Sequence, residues 1–339
     1  MVAAAYIGTV IGAGFATGQE VLQFFGFHGL RGLWGLALST LLFMVYGWLV
    51  LELGHRLQAR SHQEVVRTAG GPWLGTLIDW VITFFLAGAF ATMAAGAGAI
   101  FAEQFRLPAV AGGLLMVAVT VGTVLLGIRG VVTAISAVVP LLLATVLVVS
   151  GFALFTAPVN WQWARPERAA VSPWPLSAVA YASYNLILAI SILAPLGKLS
   201  QRSALRRGAF WGGLGLGLSA AAIQVALMTR VPRAAAFEIP MLFIAREIFD
   251  FFPLVYSAVL LAEIYTTAVG SLYGFVARLT PPEGTYFRTF TLVTGGLAFL
   301  ASRIGFAELI ATLYSAVGYA GVTLLVALTY WYLRGTKDT

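Results

Sequence analysis

Residues Gly8 to Glu20 read GTVIGAGFATGQE. Four glycines, Gly8, Gly12, Gly14 and Gly18, fall inside an apolar stretch, and two polar side chains, Gln19 and Glu20, follow them. Each glycine inside a helix costs about 1 kcal/mol relative to alanine, yet the flanks, Val2 to Ile11 and Phe15 to Phe25, are helical in character. The stretch predicts a helix broken near the middle of a membrane. Backbone groups freed at that depth are tolerated only where they face protein, water, an ion or a ligand, so the break marks a buried polar site.

Composition supports the membrane setting: 60% of the 339 residues are hydrophobic and 10% are charged, and the mean hydropathy is +0.91. The chain has no cysteine, which excludes a disulfide framework, thiol catalysis and a Cys-based metal site. A net charge of +7 would point to nucleic acid in a soluble protein. Here the cations are spread over short loops between apolar spans, which is the pattern of membrane topology, and no nucleic-acid partner is expected. No basic segment precedes the first apolar run, and Gln19 and Glu20 interrupt it, so it reads as an inserted span rather than a cleaved signal peptide. The histidines, His28, His55 and His62, fall near span ends, and neither HExxH nor GxSxG occurs. The chain is therefore not expected to be an enzyme.

A membrane crossing takes about 20 apolar residues, and ten segments approach that length: Val2 to Phe25, Leu33 to Leu57, Leu77 to Ala102, Leu107 to Leu126, Val131 to Phe155, Leu176 to Leu196, Leu205 to Met228, Pro253 to Ala277, Phe287 to Ala301 and Ala307 to Leu333. With a cytoplasmic N-terminus, twelve of the 20 Lys and Arg residues, including Arg60, Arg129 and Lys337, fall in inner loops and eight in outer ones. The positive-inside rule then puts both termini in the cytoplasm of a multi-pass cell-membrane protein. The cluster of Lys198, Arg202, Arg206 and Arg207 is the strongest part of that bias.

Five spans per half force the two halves, residues 1–160 and 161–339, into opposite orientations within a single membrane domain, which is the arithmetic of an inverted repeat. The connections after the second span (58–75) and after the seventh (229–252) are both expanded. The sixth span should mirror the first, and its Tyr181-Ala182-Ser183-Tyr184-Asn185 run predicts a second interruption. Paired broken helices point to a transporter's midplane binding site. The eighth span places Glu263, Thr266, Thr267 and Gly270 on one helical face. A carboxylate at the bilayer centre costs about 2.5 to 3.5 kcal/mol on insertion scales, so Glu263 should face a partner or a cavity. With the two hydroxyls and the free carbonyls of a broken helix it would form an oxygen cage for a hard cation such as sodium.

With these features the chain resembles the LeuT-fold transporters of the APC superfamily, most closely the YkvI-like amino-acid permeases. The resemblance covers essentially the whole chain and rests on the five-plus-five arrangement, the GxxIGxG motif at Gly8, Ile11, Gly12 and Gly14, and the pair Thr266 and Thr267. It implies an all-α membrane fold of ten helices with helices one and six discontinuous. It also implies a cation-coupled symporter working by alternating access, with one sodium ion held by the carbonyls of Gly8, Ile11 and Glu263 and the hydroxyls of Thr266 and Thr267. Divalent-metal relatives of the fold carry Asp-Pro-Gly in the first span and a Met-containing motif in the sixth. Neither is present here, which argues against transition-metal transport.

The half-helix after the break should point free amides and a positive dipole end at the midplane, so Gly12, Ala13 and Gly14 are expected to hold a substrate carboxylate. Ser183, Tyr184 and Asn185 would meet an ammonium group or a side chain. An amino acid, or a similar small zwitterionic or organic solute, fits both ends. Glu20 reads either as a gate or proton carrier or as a structural partner for a neighbouring helix. Proton coupling through Glu20 or Glu263, with an amino acid or organic amine as cargo, is the alternative to sodium. A non-transporting sensor or a channel on the same fold stands further off.

Overall fold

A computed structural model describes residues 2–59, 61–126, 129–280 and 286–335, as backbone only over 129–140 and at 335. Arg60 and Lys337, counted above among the inner cations, lie outside the described residues, as does the side chain of Arg129. The described chain is helical, without strands, and helix occupies every one of the ten predicted segments.

The first span is more broken than expected. It consists of α1 (Val2–Val10), α2 (Ala13–Ala16) and α3 (Gln19–Phe24). Ile11 and Gly12 separate α1 from α2, with Gly12 extended at φ −127° and ψ −173°. Gly18 separates α2 from α3 in the left-handed region at φ 79°, where a side chain would be strained and its Cβ would come 2.6 Å from Cγ of Met241. The expected second half-helix is thus two short turns bent at a glycine.

The next helices are α4 (Leu30–Leu57), α5 (His62–Phe105), α6 (Ala109–Leu125) and α7 (Arg129–Thr156). At the start of α5, Gly71 (φ 79°, ψ 178°) and Pro72 divide a short leading helix from the long one. Asp79 ties the two pieces together by accepting from His62 at 2.9 Å and Gln63 at 3.0 Å. A loop then leads to α8 (Trp174–Leu199), α9 (Arg202–Met228), α10 (Pro240–Ala245), α11 (Phe252–Leu279) and α12 (Phe287–Ala301). The last span joins α13 (Phe306–Leu309) to α14 (Ser315–Gly335) through a π-helical turn, Ile310–Tyr314. Six of these helical stretches are long and apolar enough to cross a membrane unaided, from Leu30–Leu57 to Phe306–Arg334. Both connections read as expanded contain helix, at the head of α5 and in α10.

The predicted interruption of the sixth span is absent, since α8 runs unbroken from Trp174 to Leu199. The polar side chains in its middle are satisfied without unwinding it. Ser183 donates to the carbonyl of Ala180 at 3.0 Å, and Asn185 donates to that of Tyr181 at 3.0 Å. Such back-bonding to the helix's own carbonyls replaces the partners that a break would supply.

Small residues let the helices meet backbone to backbone. On α9, Gly212 receives the ring of Tyr6 and Gly213 the backbone of Met44, so α1 and α4 pack against one glycine-lined face. Where α4 crosses α8, a Cβ on Gly197 would overlap the carbonyl oxygen of Leu51, and one on Gly54 would overlap that of Ala194. Backbone cannot step aside as a flexible side chain can. Gly197→Val should therefore destabilise the protein by about 1 to 3 kcal/mol, measured as a lower midpoint of thermal unfolding in detergent.

Candidate functional site

The break in the first span opens onto a cavity of about 370 Å³. Its lining comes from the first span (Gly8 to Gly14 and Glu20), α5 (Phe85, Leu86, Ala89, Met93), α8 (Tyr184, Asn185, Leu188, Ile192), α11 (Glu263, Thr266, Thr267, Gly270, Ser271) and Tyr314 of the π turn. Of the residues read from sequence as site candidates, Gly8, Ile11, Gly12, Ala13, Gly14, Glu20, Tyr184, Asn185, Glu263, Thr266 and Thr267 all meet here. Ser183 does not. It faces α14 and donates to the carbonyl of Gly318 at 2.5 Å, so it serves helix packing.

The end of α1 supplies acceptors. Ile11 still donates to the carbonyl of Ile7 at 2.9 Å, but among the described residues no backbone N–H reaches the carbonyls of Gly8, Thr9, Val10 or Ile11. Opposite them on α11, Thr266 donates its hydroxyl to the carbonyl of Glu263 at 3.0 Å. That bond uses the hydroxyl proton and leaves oxygen lone pairs on both groups. The Glu263 side chain is 4% exposed, and its Oε2 has no hydrogen-bond partner. A buried carboxylate oxygen without a donor is costly, so this oxygen is available for a cation or a proton.

On the other side of the break a carboxylate of the protein joins the site. The carboxylate of Glu20 folds back into the space beside Gly14. A Cβ on Gly14 would overlap Oε1 of Glu20 and lie 2.8 Å from its carboxyl carbon. Only glycine leaves room for this approach. The other oxygen, Oε2, accepts a 2.5 Å hydrogen bond from the hydroxyl of Tyr184. A carboxylate of the protein's own thus stands beside Gly14. With only four residues in α2, little helix dipole stands behind the amides at its head.

Phe85, Met93 and Tyr314 are among the lining residues that were not read from the sequence. Phe85 and Met93 lie among many apolar residues of the third span and carry no local signal. Tyr314 sits at the end of the π turn, and such turns are frequent at functional sites, but a one-residue widening of a helix leaves no pattern in the amino-acid order.

Past Gly14 the first span is covered by protein. The carbonyl of Ala16 accepts from the hydroxyl of Tyr256 at 2.6 Å, that of Thr17 from the amide of Met241 at 3.0 Å, and those of Gln23 and Phe27 from Ala170 and Arg165 in the loop before α8. At the opposite end, Ile192 is 47% exposed and Gly8, Thr9 and Thr267 are half-buried. Residue 2 lies on that side, since Val2 packs at Gly208 near the start of α9. Protein packs around the cavity past Gly14, and its more exposed lining residues lie toward the side on which Val2 packs.

The Bacillus subtilis membrane protein YkvI is 32% identical to this chain over 329 residues, covering 95% of the chain and 93% of YkvI. The chain belongs to the YkvI family. A second Bacillus subtilis protein, YyaD, is 30% identical over 325 residues, again covering 95% of this chain and 93% of its own length. No protein-family profile matches the chain. Among solved structures, a variant of the Eremococcus coleocola manganese transporter superposes with a TM-score of 0.57 at 14% identity, covering 96% of this chain and 77% of that one. At that identity the likeness is one of fold. This YkvI-family chain is a multi-pass, all-helical membrane protein with the fold of a transporter.

Proposed function

We propose that the protein is a cation-coupled secondary transporter that moves a small amine-bearing solute, an amino acid or a related organic compound, by alternating access. In this reading its helices form two inverted halves of five, residues 1–160 and 161–339, in the cytoplasmic membrane with both termini inside. The observation that carries the proposal is the meeting in one cavity of Glu263, Thr266 and Thr267 with the carbonyls of Gly8 and Ile11, which no backbone N–H reaches among the described residues. Hard oxygen donors with one nearby negative charge suit sodium. The ion would bridge the first span and α11, so its binding would favour the arrangement in which these two elements approach, which is the differential affinity that coupling requires.

Among the described residues, no group of three or more His, Cys, Asp or Glu side chains could hold a metal ion, and Met93 alone contributes sulfur to the cavity. With Glu263 as the single charged donor beside the carbonyls of α1, the set matches the charge of a monovalent alkali cation better than that of the divalent manganese named for the structural neighbour. Proton coupling is the second reading, and the partnerless Oε2 of Glu263 favours it. Glu20 is the weaker proton carrier, because Tyr184 already donates to it.

Sodium, but not potassium, is expected to raise the midpoint of thermal unfolding, because a ligand selective for the native state stabilises it by about 2.7 kcal/mol at a concentration 100 times its Kd. Thr266→Ala combined with Thr267→Ala should remove this response. An unchanged response in the double variant would place the ion elsewhere. A response to pH in place of sodium would select the proton.

A further inference from the structure

Among the described residues, the lining of the cavity contains two carboxylates, Glu20 and Glu263, and no Lys, Arg or His. A cation at the site between α1 and α11 offsets Glu263. That leaves Glu20, 5% exposed, with the hydroxyl of Tyr184 as its hydrogen-bond donor and no basic side chain in the cavity to balance it. A buried charge needs a partner of opposite sign, and the transported solute is the group that can bring one. A zwitterion brings the wrong total. Its ammonium would balance Glu20, but its own carboxylate would then need a second cation, and the space beside Gly14 is already filled by the carboxylate of Glu20.

The surface beside Glu20 is aromatic. Phe85, Tyr184 and Tyr314 all line the cavity, with ring centroids 5.2 Å apart for Phe85–Tyr314, 5.2 Å for Tyr184–Tyr314 and 6.4 Å for Phe85–Tyr184. Ring faces attract an ammonium within about 6 Å of the centroid, most strongly where water is excluded. A bare inorganic cation has no use for such a wall, whereas an alkylammonium head is solvated by it. We propose that the solute is an organic amine of net positive charge without a carboxylate, its ammonium seated between Glu20 and the rings of Phe85, Tyr184 and Tyr314. This assignment rests on the carrier reading of the same cavity. A volume of about 370 Å³ lies at the low end of small-molecule sites, which limits the guest to a small amine.

The test compares pairs of compounds that differ by one carboxylate: phenylalanine with phenethylamine, tyrosine with tyramine, and ornithine with putrescine. Binding is measured calorimetrically to the full-length protein in lipid nanodiscs with sodium present. At least one amine should bind about 10-fold or more tightly than its parent amino acid, the difference expected for one compensated charge. Glu20→Gln should weaken that amine by a similar factor while the thermal response to sodium persists. Tyr314→Leu should weaken it several-fold. An amino acid that binds as tightly as its amine, absence of binding by every amine, or an amine affinity unchanged in Glu20→Gln would overturn the assignment. Amine binding without any sodium response would uphold it and overturn the proposed ion. Amine binding without uptake into proteoliposomes would uphold it and overturn the carrier reading.

Discussion

Replacing Glu263 by glutamine is expected to raise the thermal stability of the cation-free protein and, at the same time, to reduce sodium-driven uptake by on the order of 10- to 100-fold or more. The two effects have one cause. Oε2 of Glu263 is buried without a donor, and an uncompensated buried polar group costs about 1 to 3 kcal/mol on mutational evidence. Glutamine removes the charge, keeps the shape and leaves the backbone carbonyl at position 263 in place, so the empty protein is relieved of the penalty. The ion loses the one negative charge beside its site. Removing even a supporting group of an ion site costs about 10- to 100-fold in affinity, and a neutralised carboxylate should cost at least that. Thermal unfolding with and without sodium, set beside uptake into proteoliposomes, reads both effects. A carboxyl that is already protonated in the empty protein would show no gain in stability, and uptake would then follow pH instead of sodium.

The sequence was legible where a residue type leaves the backbone little choice. Gly12 and Gly14 forecast an opening in the first span, and the structure unwinds the chain at Ile11 and Gly12. The face made by Glu263, Thr266 and Thr267 was legible because a carboxylate at membrane depth must look onto something polar, and it looks onto that opening. The sixth span misled for the opposite reason. Its Tyr-Ala-Ser-Tyr-Asn run has the composition of a break, but serine and asparagine can bond back to their own helix, and Ser183 and Asn185 do so. Composition does not say which of the two satisfactions a helix adopts; the neighbouring helix decides it, since the carbonyl of Gly318 also takes the hydroxyl of Ser183.

The return of Glu20 was hidden for a geometric reason. Reading Phe15 to Phe25 as one half-helix carries Glu20 about two turns from the break, toward the far face. The left-handed turn at Gly18 reverses that, bringing the carboxylate back over Gly14. Gly18 was counted in the sequence as one more helix-weakening glycine, whereas its positive φ is what redirects the chain. Phe85, Met93 and Tyr314 reach the cavity from α5 and the last span only through tertiary packing, so nothing local announced them.

Gly14→Ala is expected to leave the fold and the sodium response intact while lowering solute affinity by on the order of 10- to 100-fold. The added Cβ would overlap Oε1 of Glu20 and come 2.8 Å from its carboxyl carbon. No backbone atom appears among the three nearest obstacles; all belong to the side chain of Glu20. That side chain can rotate away at little cost to the fold, whereas at Gly197 the obstacle is the backbone of α4. Once it rotates, Oε2 leaves the hydroxyl of Tyr184, and the carboxylate no longer stands beside the rings of Phe85 and Tyr314. A hydrogen bond to a charged group is worth about 1.5 to 3 kcal/mol, which converts to the stated loss. The ion site lies across the break, on the carbonyls of Gly8 and Ile11 and on α11, and does not require Glu20. Sodium should therefore stabilise Gly14→Ala as it stabilises the parent, while Glu20→Gln in the Gly14→Ala background adds nothing further. If Gly14→Ala and Glu20→Gln instead add their full separate losses, the two residues act independently and the contact across the break is not what holds the solute.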